Sequence, residues 1–510
     1  MKRAELRPWT AAAAAIIVAC SGGGGGHGGT GGNTSAGGTS GEAGVTGAGG
    51  ASPTGGSGGS SSNGGSSGGA SGGGAIATGG SSGGTSGGGG SSTGGAGGSG
   101  GVVASGGAGG RALGSCTDTV LRTAPPAGKE MFKADPVDTK FPFAAHWIGT
   151  LGGNLPIGIT GLADYDHDGD LDFSSGQKGG PMYWWEQCTA DHWVQHMIGT
   201  GHATPGGGNA TDVDGDGWVD VVAGDSWYRN PKLTETSRSG TWSRFPTGVT
   251  GGAEDIVVGD VSGDGKPDVL FVWNAFNPNW RMPGPDPTIA WPIGASLANV
   301  QTQGGAIGDL DHDGDNDIVV GNQWWYRNMD GKGKQWETVH IATGFDDSPL
   351  VNVGDLDGDG DMDLVMCTHF GSRIAWVESG GGQATTWTLH ILATGKKNLH
   401  AIFALDFDND GDLDIFAGES AGHAWIYENT DGKGTFVEHD AAKVERGHDA
   451  RVGDVDCDGD LDIVGAPWDD APSDHVYLQN MTVERGGRAV FTRPAGEIWR
   501  AEQRATGCKD

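Results

Sequence analysis

The nine-residue pattern D-x-D-x-D-G-x-x-D is written seven times between Asp164 and Asp462, with one ligand letter changed in the whole series. The copies begin at Asp164, Asp212, Asp260, Asp309, Asp355, Asp406 and Asp454, so the steps between them are 48, 48, 49, 46, 51 and 48 residues. A fixed period of this size, with one supersecondary unit per period, is the signature of a propeller or a solenoid. Each unit is too small to bury its own apolar face and must bury it against the next.

The repeated unit is also a metal-binding pattern. In Asp355-Leu356-Asp357-Gly358-Asp359-Gly360-Asp361-Met362-Asp363, carboxylates at loop positions 1, 3 and 5 converge as the chain turns. Gly360 at position 6 supplies the positive φ that such a turn needs. Calcium takes six to eight oxygen ligands and tolerates mixed carboxylate, carbonyl and water ligation. The EF-hand opens with the same letters but closes its shell with Glu at position 12. Here position 9 is always Asp, followed by Phe173, Val221, Val269, Ile318, Leu364, Ile415 or Ile463, so a strand–loop–strand site is expected.

The candidate ligands are, loop by loop, Asp164, Asp166, Asp168 and Asp172; Asp212, Asp214, Asp216 and Asp220; Asp260, Ser262, Asp264 and Asp268; Asp309, Asp311, Asp313 and Asp317; Asp355, Asp357, Asp359 and Asp363; Asp406, Asp408, Asp410 and Asp414; Asp454, Asp456, Asp458 and Asp462. About seven structural calcium ions are therefore expected. By analogy with the EF-hand, position 7 gives a backbone carbonyl, so Trp218 there costs the second site nothing. The third site is weaker, because Ser262 replaces a carboxylate and Lys266 brings in a positive charge. Magnesium resists dehydration, and zinc prefers nitrogen and sulfur donors that these loops lack.

The loops hold 32 of the 64 acidic residues, so the net charge of −33 is largely the charge of the metal sites. An acidic surface repels phosphate backbones, which makes nucleic acid a poor partner.

The N-terminal part reads as an address and a tether. Lys2, Arg3 and Arg7 precede a short apolar run, Ala11 to Ala19, which is too short to span a bilayer and reads as a signal peptide over residues 1–19. It ends in Ile17-Val18-Ala19-Cys20, which resembles the bacterial lipobox. The resemblance implies cleavage before Cys20, its lipidation, and a place in the bacterial cell envelope, with Ser21 favouring the outer membrane. Residues 20–115 are almost wholly Gly, Ser, Thr and Ala and are expected to be a disordered linker before a folded domain over 116–510. After Cys20 come Cys116, Cys188, Cys367, Cys457 and Cys508, an odd number that leaves at least one thiol free or paired externally. A bond between Cys116 and Cys508 would tie the ends of a ring together, and Cys367 is expected to be a small buried residue.

Each period holds four strand signals: a short strand into the metal loop, a second out of it (Asp363-Leu364-Val365-Met366), an aromatic third (Trp325-Tyr326-Arg327-Asn328) and a fourth with alternating Trp and His (Trp336-Glu337-Thr338-Val339-His340-Ile341). Turn signals such as Asp330-Gly331-Lys332-Gly333 join the third to the fourth. Four antiparallel strands per period make one blade, and seven blades close an all-β, seven-bladed β-propeller. The loops and the period resemble the FG-GAP/VCBS repeat family, which includes the integrin α-subunit propeller. The resemblance covers roughly residues 140–495. Gly-Ala-Pro occurs only at Gly465-Ala466-Pro467 and Phe-Gly only at Phe370-Gly371, so the agreement is with the metal-loop blade, and no integrin-type partner is implied.

Tryptophans that recur at fixed blade positions are expected to pack between blades, and His196, His340, His390 and His439 on the fourth strands are expected to be structural. Function is sought where blades differ. The segments entering the first strands, opposite the metal loops, hold His202, Glu254, Asp255, Asp346, Asp347, Lys396, Lys397, His400, His448 and Asp449. The insertion from Asn274 to Gly294 is expected to add Trp280, Arg281 and Trp291 on the same side. Trp280, Trp291, Lys397, His400 and His448 are the ligand-binding candidates. Two functions fit: a surface-anchored, non-catalytic binding or adhesion module for a protein or glycan, or a carbohydrate-active enzyme of the polysaccharide-lyase kind. No catalytic residue is assigned. A lyase needs a base near pKa 7 and a carboxylate neutraliser in one cleft.

Overall fold

The computed structural model describes residues 136–489, apart from 152–155, 204–205, 235–236, 239, 274–275, 298–301, 342–343, 346–349, 370–371, 382–383, 385, 421, 444–446 and 468–472. The signal peptide, Cys20, the linker, Cys116, Cys508, Asp346 and Asp347 lie outside the described residues.

The seven periods form seven four-stranded antiparallel sheets, each the blade of a propeller. Blades are numbered here by their metal loops, from the loop of Asp164 to that of Asp454. Blade 5 is representative, with strands Leu350–Gly354, Asp363–Cys367, Arg373–Gly380 and Thr386–Thr394 paired in chain order. Gly354 pairs with Asp363 and Val353 with Leu364, so the metal loop caps the end of the first two strands. Those two strands are buried at every position, whereas the fourth alternates between exposed and half-buried residues. Inner strands are covered on both faces by neighbouring blades and read as continuous apolar runs; the outermost has one wet face.

The first strands of successive blades touch one another all the way round the ring, so they line the axis. The ring is closed by strand exchange. The fourth strand of blade 7 is Phe143–Leu151, which precedes blade 1 in the chain and pairs antiparallel with Ser473–Asn480, from Phe143↔Asn480 to Leu151↔Ser473. Backbone hydrogen bonds thus join the two ends of the folded region.

Among the described residues there are seven buried clusters, and each lies between two adjacent blades. Leu350, Val365, Cys367 and Trp376 of blade 5, for example, pack against Ile402, Leu413, Ile415 and Tyr427 of blade 6. Trp280 of blade 3 packs in the same way with Ile307, Ile318 and Tyr326 of blade 4. The second glycine of the Asp-Gly-Lys-Gly turn is the seat for such a ring. A Cβ at Gly333 would lie 2.2 Å from Trp280 of the preceding blade, and one at Gly434 would lie 2.3 Å from Trp376. Both glycines also have positive φ, of 61° and 79°.

The expected inter-blade role of tryptophan therefore holds. So does the structural role of the fourth-strand histidines. His196, His390 and His439 bond to Glu186, Glu378 and Glu428 of the third strand at 2.7–2.9 Å. His196 and His390 also stack on Trp184 and Trp376, and His340 lies over Trp324. Cys367 is buried, as expected, and its thiol is free, while Cys188 and Cys457 are each disulfide-bonded.

Candidate functional site: carboxylate loops at one end, an axial mouth at the other

All seven loops share one backbone conformation. Position 6 has positive φ in every copy, from 80° at Gly265 to 106° at Gly169 and Gly411. Position 4 is left-handed as well, and four loops place a non-glycine residue there: His167, His312, Asn409 and Cys457. The position-1 carboxylate holds the turn. Oδ1 of Asp212 accepts from the N–H of Asp216 and Oδ2 from that of Gly217, and Asp260, Asp309 and Asp406 make the same pair of bonds one period apart. The third loop keeps this geometry despite Ser262, so its difference is one of charge.

Position 9 ties the loop to the blade. One oxygen of Asp414 accepts from the N–H of Phe407, at loop position 2, and the other from Asn429 at the end of the third strand. Asp172, Asp220, Asp317, Asp363 and Asp462 repeat this two-ended tie. The residue at the far end is itself a clamp between blades. Asn429 Nδ2 donates to the Leu413 carbonyl of its own loop and to the Leu356 carbonyl of the preceding blade's loop. Asn230, Asn328 and Asn480 bridge in the same way. Gln187 reaches the corresponding carbonyls of Val455 and Leu171 when its amide nitrogen faces them. Sequence reasoning passed over this residue, although an Asn or Gln 10–18 residues after position 9 was a signal in the repeat.

The donor atoms are close and buried. Carboxylate oxygens of Asp164, Asp166 and Asp172 lie within 4.8 Å of one another, as do those of Asp212, Asp214 and Asp220, and of Asp309, Asp311 and Asp313. Asp311 Oδ1, Asp456 Oδ1 and Asp458 Oδ2 are buried without a hydrogen-bond partner. Burial, reinforced by neighbouring carboxylates, raises the position-9 groups: Asp268 to about 7, Asp220, Asp317 and Asp363 to about 8, and Asp172, Asp414 and Asp462 well above the usual range. Crowded, partly desolvated, oxygen-only donors of this kind suit a hard divalent cation.

Basic side chains from nearby strands and connecting segments already contact some of these carboxylates, a feature the sequence did not reveal. Arg238 bonds to Asp166 at 2.9 Å, to Asp168 at 3.2 Å and to Glu186; Arg229 contacts Asp214 and Asp216; Arg327 contacts Asp311; Lys140 lies 2.5 Å from Asp408. Trp218, at position 7 of the second loop, turns its ring onto His167 of the first loop at 4.7 Å and donates to the Leu233 carbonyl. Its side chain is thus occupied in packing.

At the opposite end, the segments entering the first strands surround the axis. The residue six before each loop stands at the same place in successive blades: Gly158, Gly206, Glu254, Gln303, His400 and His448 among the described residues. Gly206, Glu254, Gln303, His400 and His448 line one cavity, together with Asp255, Asp449 and Arg451. The cavity holds about 490 Å³ of empty space continuous with solvent. His400 and His448 stack face to face at 3.5 Å, with planes 15° apart, and His369 meets His400 edge-on at 5.1 Å. Asp449 Oδ2 lies 2.9 Å from His448 Nδ1, and Gln303 donates to Glu254 at 2.9 Å. Burial pushes both imidazoles down to about 3, and each ring is opposed further by a neighbouring histidine. Arg451 is buried beside them and donates to the carbonyls of Thr160, Ala450 and Gly208, stitching blades 7, 1 and 2 together.

Of the five ligand-binding candidates, His400 and His448 come together and the others do not. Lys397 is exposed, with its backbone N–H bonded to Glu419. Trp280 and Trp291 are not ligand-facing residues. Trp280 is fully buried and Trp291 2% exposed, and both are core residues that offer no face to a ligand. Their expected side of the molecule is also wrong. Arg281 pairs with Val269, next to the position-9 Asp268, so the insertion leaves blade 3 at the metal-loop end. It then crosses to the outer edge of blade 2, where Trp291 donates to Thr247 and Pro287 accepts from Trp227. His202 is buried against the Gln177 carbonyl, and Lys396 lies over Trp425 and bonds to Glu438.

Three stretches of the chain match the FG-GAP-like repeat, at residues 212–271, 309–366 and 406–465. Each begins at position 1 of a loop and runs through the next, so the matches take in six of the seven loops in pairs. No curated protein sequence matches the chain. Among solved structures, the chain is similar to BBS1N in complex with ARL6DN, with 10% identity and a TM-score of 0.44, over 67% of this chain and 97% of that one. It is also similar to the BP39L lectin from Burkholderia pseudomallei, with 13% identity and a TM-score of 0.41, over 68% of this chain and 99% of the lectin. The chain carries FG-GAP-like repeats on a seven-bladed β-propeller.

Proposed function

We propose that this protein is a binding module of the bacterial cell envelope, a propeller whose loops hold calcium as structural ions and whose axial mouth receives a protein or glycan without turning it over. The observation that carries the reading is the contrast between the two ends. The loop end repeats nearly the same residues and conformation seven times and serves the blades themselves. The mouth varies where the loops repeat: one equivalent position carries glycine, glutamate, glutamine or histidine according to the blade, and sites are built from convergent, unlike polar groups. Calcium fits because the donors are all oxygens and several are buried with no other partner. Anchoring follows from the lipobox at Cys20 and the glycine-rich tether behind it. Among the described residues, no helix is long and apolar enough to cross a membrane. Cys20→Ser should release the protein from the membrane fraction, and continued membrane association of that variant would reject the anchor.

The lyase alternative needs a base poised near neutrality, whereas burial holds His400 and His448 far below it. A glycan array probed with the full chain in excess calcium tests both readings. Retention of a glycan by the wild type and its loss in Glu254→Gln or His400→Ala supports binding at the mouth. Hits indifferent to these substitutions place binding elsewhere. A rise in unsaturated-uronate absorbance on incubation with a bound polysaccharide would replace the binding reading with the lyase one.

A further inference from the structure

The mouth holds a donor set unlike that of the loops. In the loops every side-chain donor is an oxygen; at the axis two imidazoles and a carboxylate meet. His400 and His448 occupy the same place in blades 6 and 7, six residues before Asp406 and Asp454. Propeller symmetry brings equivalent positions of adjacent blades together at the axis, so two histidines there become neighbours without any insertion or special turn. Donor atoms of His400, His448 and Asp449 all lie within 4.8 Å of one another. His448 is buried and the other two are half-buried at the edge of the cavity.

We propose that His400, His448 and Asp449 bind one divalent ion of the zinc class at the axial mouth, separate from the carboxylate loops. Imidazole suits zinc, copper and nickel, whereas carboxylate, carbonyl and water suit calcium and magnesium. The two ends of the propeller therefore sort cations by donor type. A tetrahedral ion about 2.0–2.1 Å from each donor sets them roughly 3.3–3.5 Å apart, a spacing within the 4.8 Å over which these donors already converge. The other histidines offer a contrast. His196, His390 and His439 each have a glutamate on the adjacent strand and recur as blade furniture. The axial pair belongs to blades 6 and 7 alone, and a parallel face-to-face stack at 3.5 Å is not an arrangement that aromatic rings prefer for its own sake. With three protein donors, such an ion keeps positions for solvent or for an oxygen or nitrogen of an incoming molecule. The site does not depend on what the mouth binds.

The test is a calorimetric titration of the full chain with zinc alone in excess calcium. One equivalent should bind and resist displacement by calcium. His400→Ala and His448→Ala should each weaken it by at least about 100-fold, and Asp449→Asn by about 10-fold, on the scale on which ligand and supporting groups set metal affinity. Because His448 is buried and its variant can fail to fold, the wild type supplies a second readout. In long-range ¹H–¹⁵N spectra, the imidazole resonances of two histidines should shift together with the first equivalent of zinc, and lose that shift on chelation. Absence of a calcium-resistant equivalent, an equivalent indifferent to the histidine substitutions, or a first equivalent that moves no pair of imidazoles would each overturn the site.

Discussion

If the loops hold calcium as proposed, a single carboxylate should decide how strongly one of them does so, because charge count is the main variable when backbone geometry is constant. The third loop tests this directly. Asp260 accepts from Asp264 and Gly265 as its counterparts do, Gly263 and Gly265 have the shared φ values, and the loop's charge differs through Ser262 and Lys266. Ser262→Asp should therefore raise calcium affinity at that loop by roughly 10-fold, followed by a site-resolved probe in a calcium titration. An unchanged affinity would show that ligand charge is not what limits the site. Arg229 makes the complementary case. Its guanidinium contacts Asp214 and Asp216 of the second loop, where a bound cation would meet its repulsion. Arg229→Gln should tighten calcium at the second loop, with the same probe reading, although Arg229 lies 13 residues beyond the nearest of these carboxylates in the chain.

At the scale of elements, the blades are held together by apolar clusters and by one polar clamp. Asn429 satisfies the Leu356 and Leu413 carbonyls at once, and both are buried near the metal loops. Asn429→Ala would leave them without a donor and should cost about 2–4 kcal/mol, measured by chemical denaturation in excess calcium. Gly434→Ala should destabilise too, since a Cβ there meets Trp376 at 2.3 Å on a backbone of positive φ, while Gly395→Ala, with nothing within 4 Å, carries only the strain of its own φ of 81°. These elements show how far the sequence could be read. Strand number, blade number and loop positions followed from a period that repeats every side-chain environment seven times. The tryptophans were placed between blades for the same reason. What does not repeat was harder. Phe143–Leu151 became the outer strand of blade 7 because an open ring would leave one blade a strand short, and no local signal in those nine residues says so. The insertion around Trp291 was assigned to the wrong end because its course depends on where the third strand stops, and Arg281 stops beside the metal loop. His400 and His448 were legible as unusual residues, but their meeting is a consequence of adjacent blades converging on the axis.

For the whole molecule, calcium bound in the loops as proposed would make folding and ion binding one equilibrium, and pH is the variable that separates them. Without calcium, position-9 carboxylates are held protonated by burial, Asp220, Asp317 and Asp363 to about 8 and Asp268 to about 7, whereas the unfolded chain releases those protons near 4. Between these values the folded state binds more protons than the unfolded one, so unfolding releases protons and rising pH favours it. The stability these groups contribute is present below about pH 4 and is lost as pH rises through about 7–8. With calcium the sign should reverse, because an ion held as proposed would bind the ionised carboxylates of the native loops and stabilise by RT ln(1 + [Ca]/Kd), while protons compete with it at low pH. Melting temperatures of the ion-free chain should therefore fall from pH 5 to pH 8, those in excess calcium should hold or rise, and the gap between the two curves should widen with pH. Restoring calcium to a chelated sample at pH 8 should recover the lost stability. Parallel curves, with a gap that does not change between pH 5 and pH 8, would mean that the crowded carboxylates are not where calcium acts.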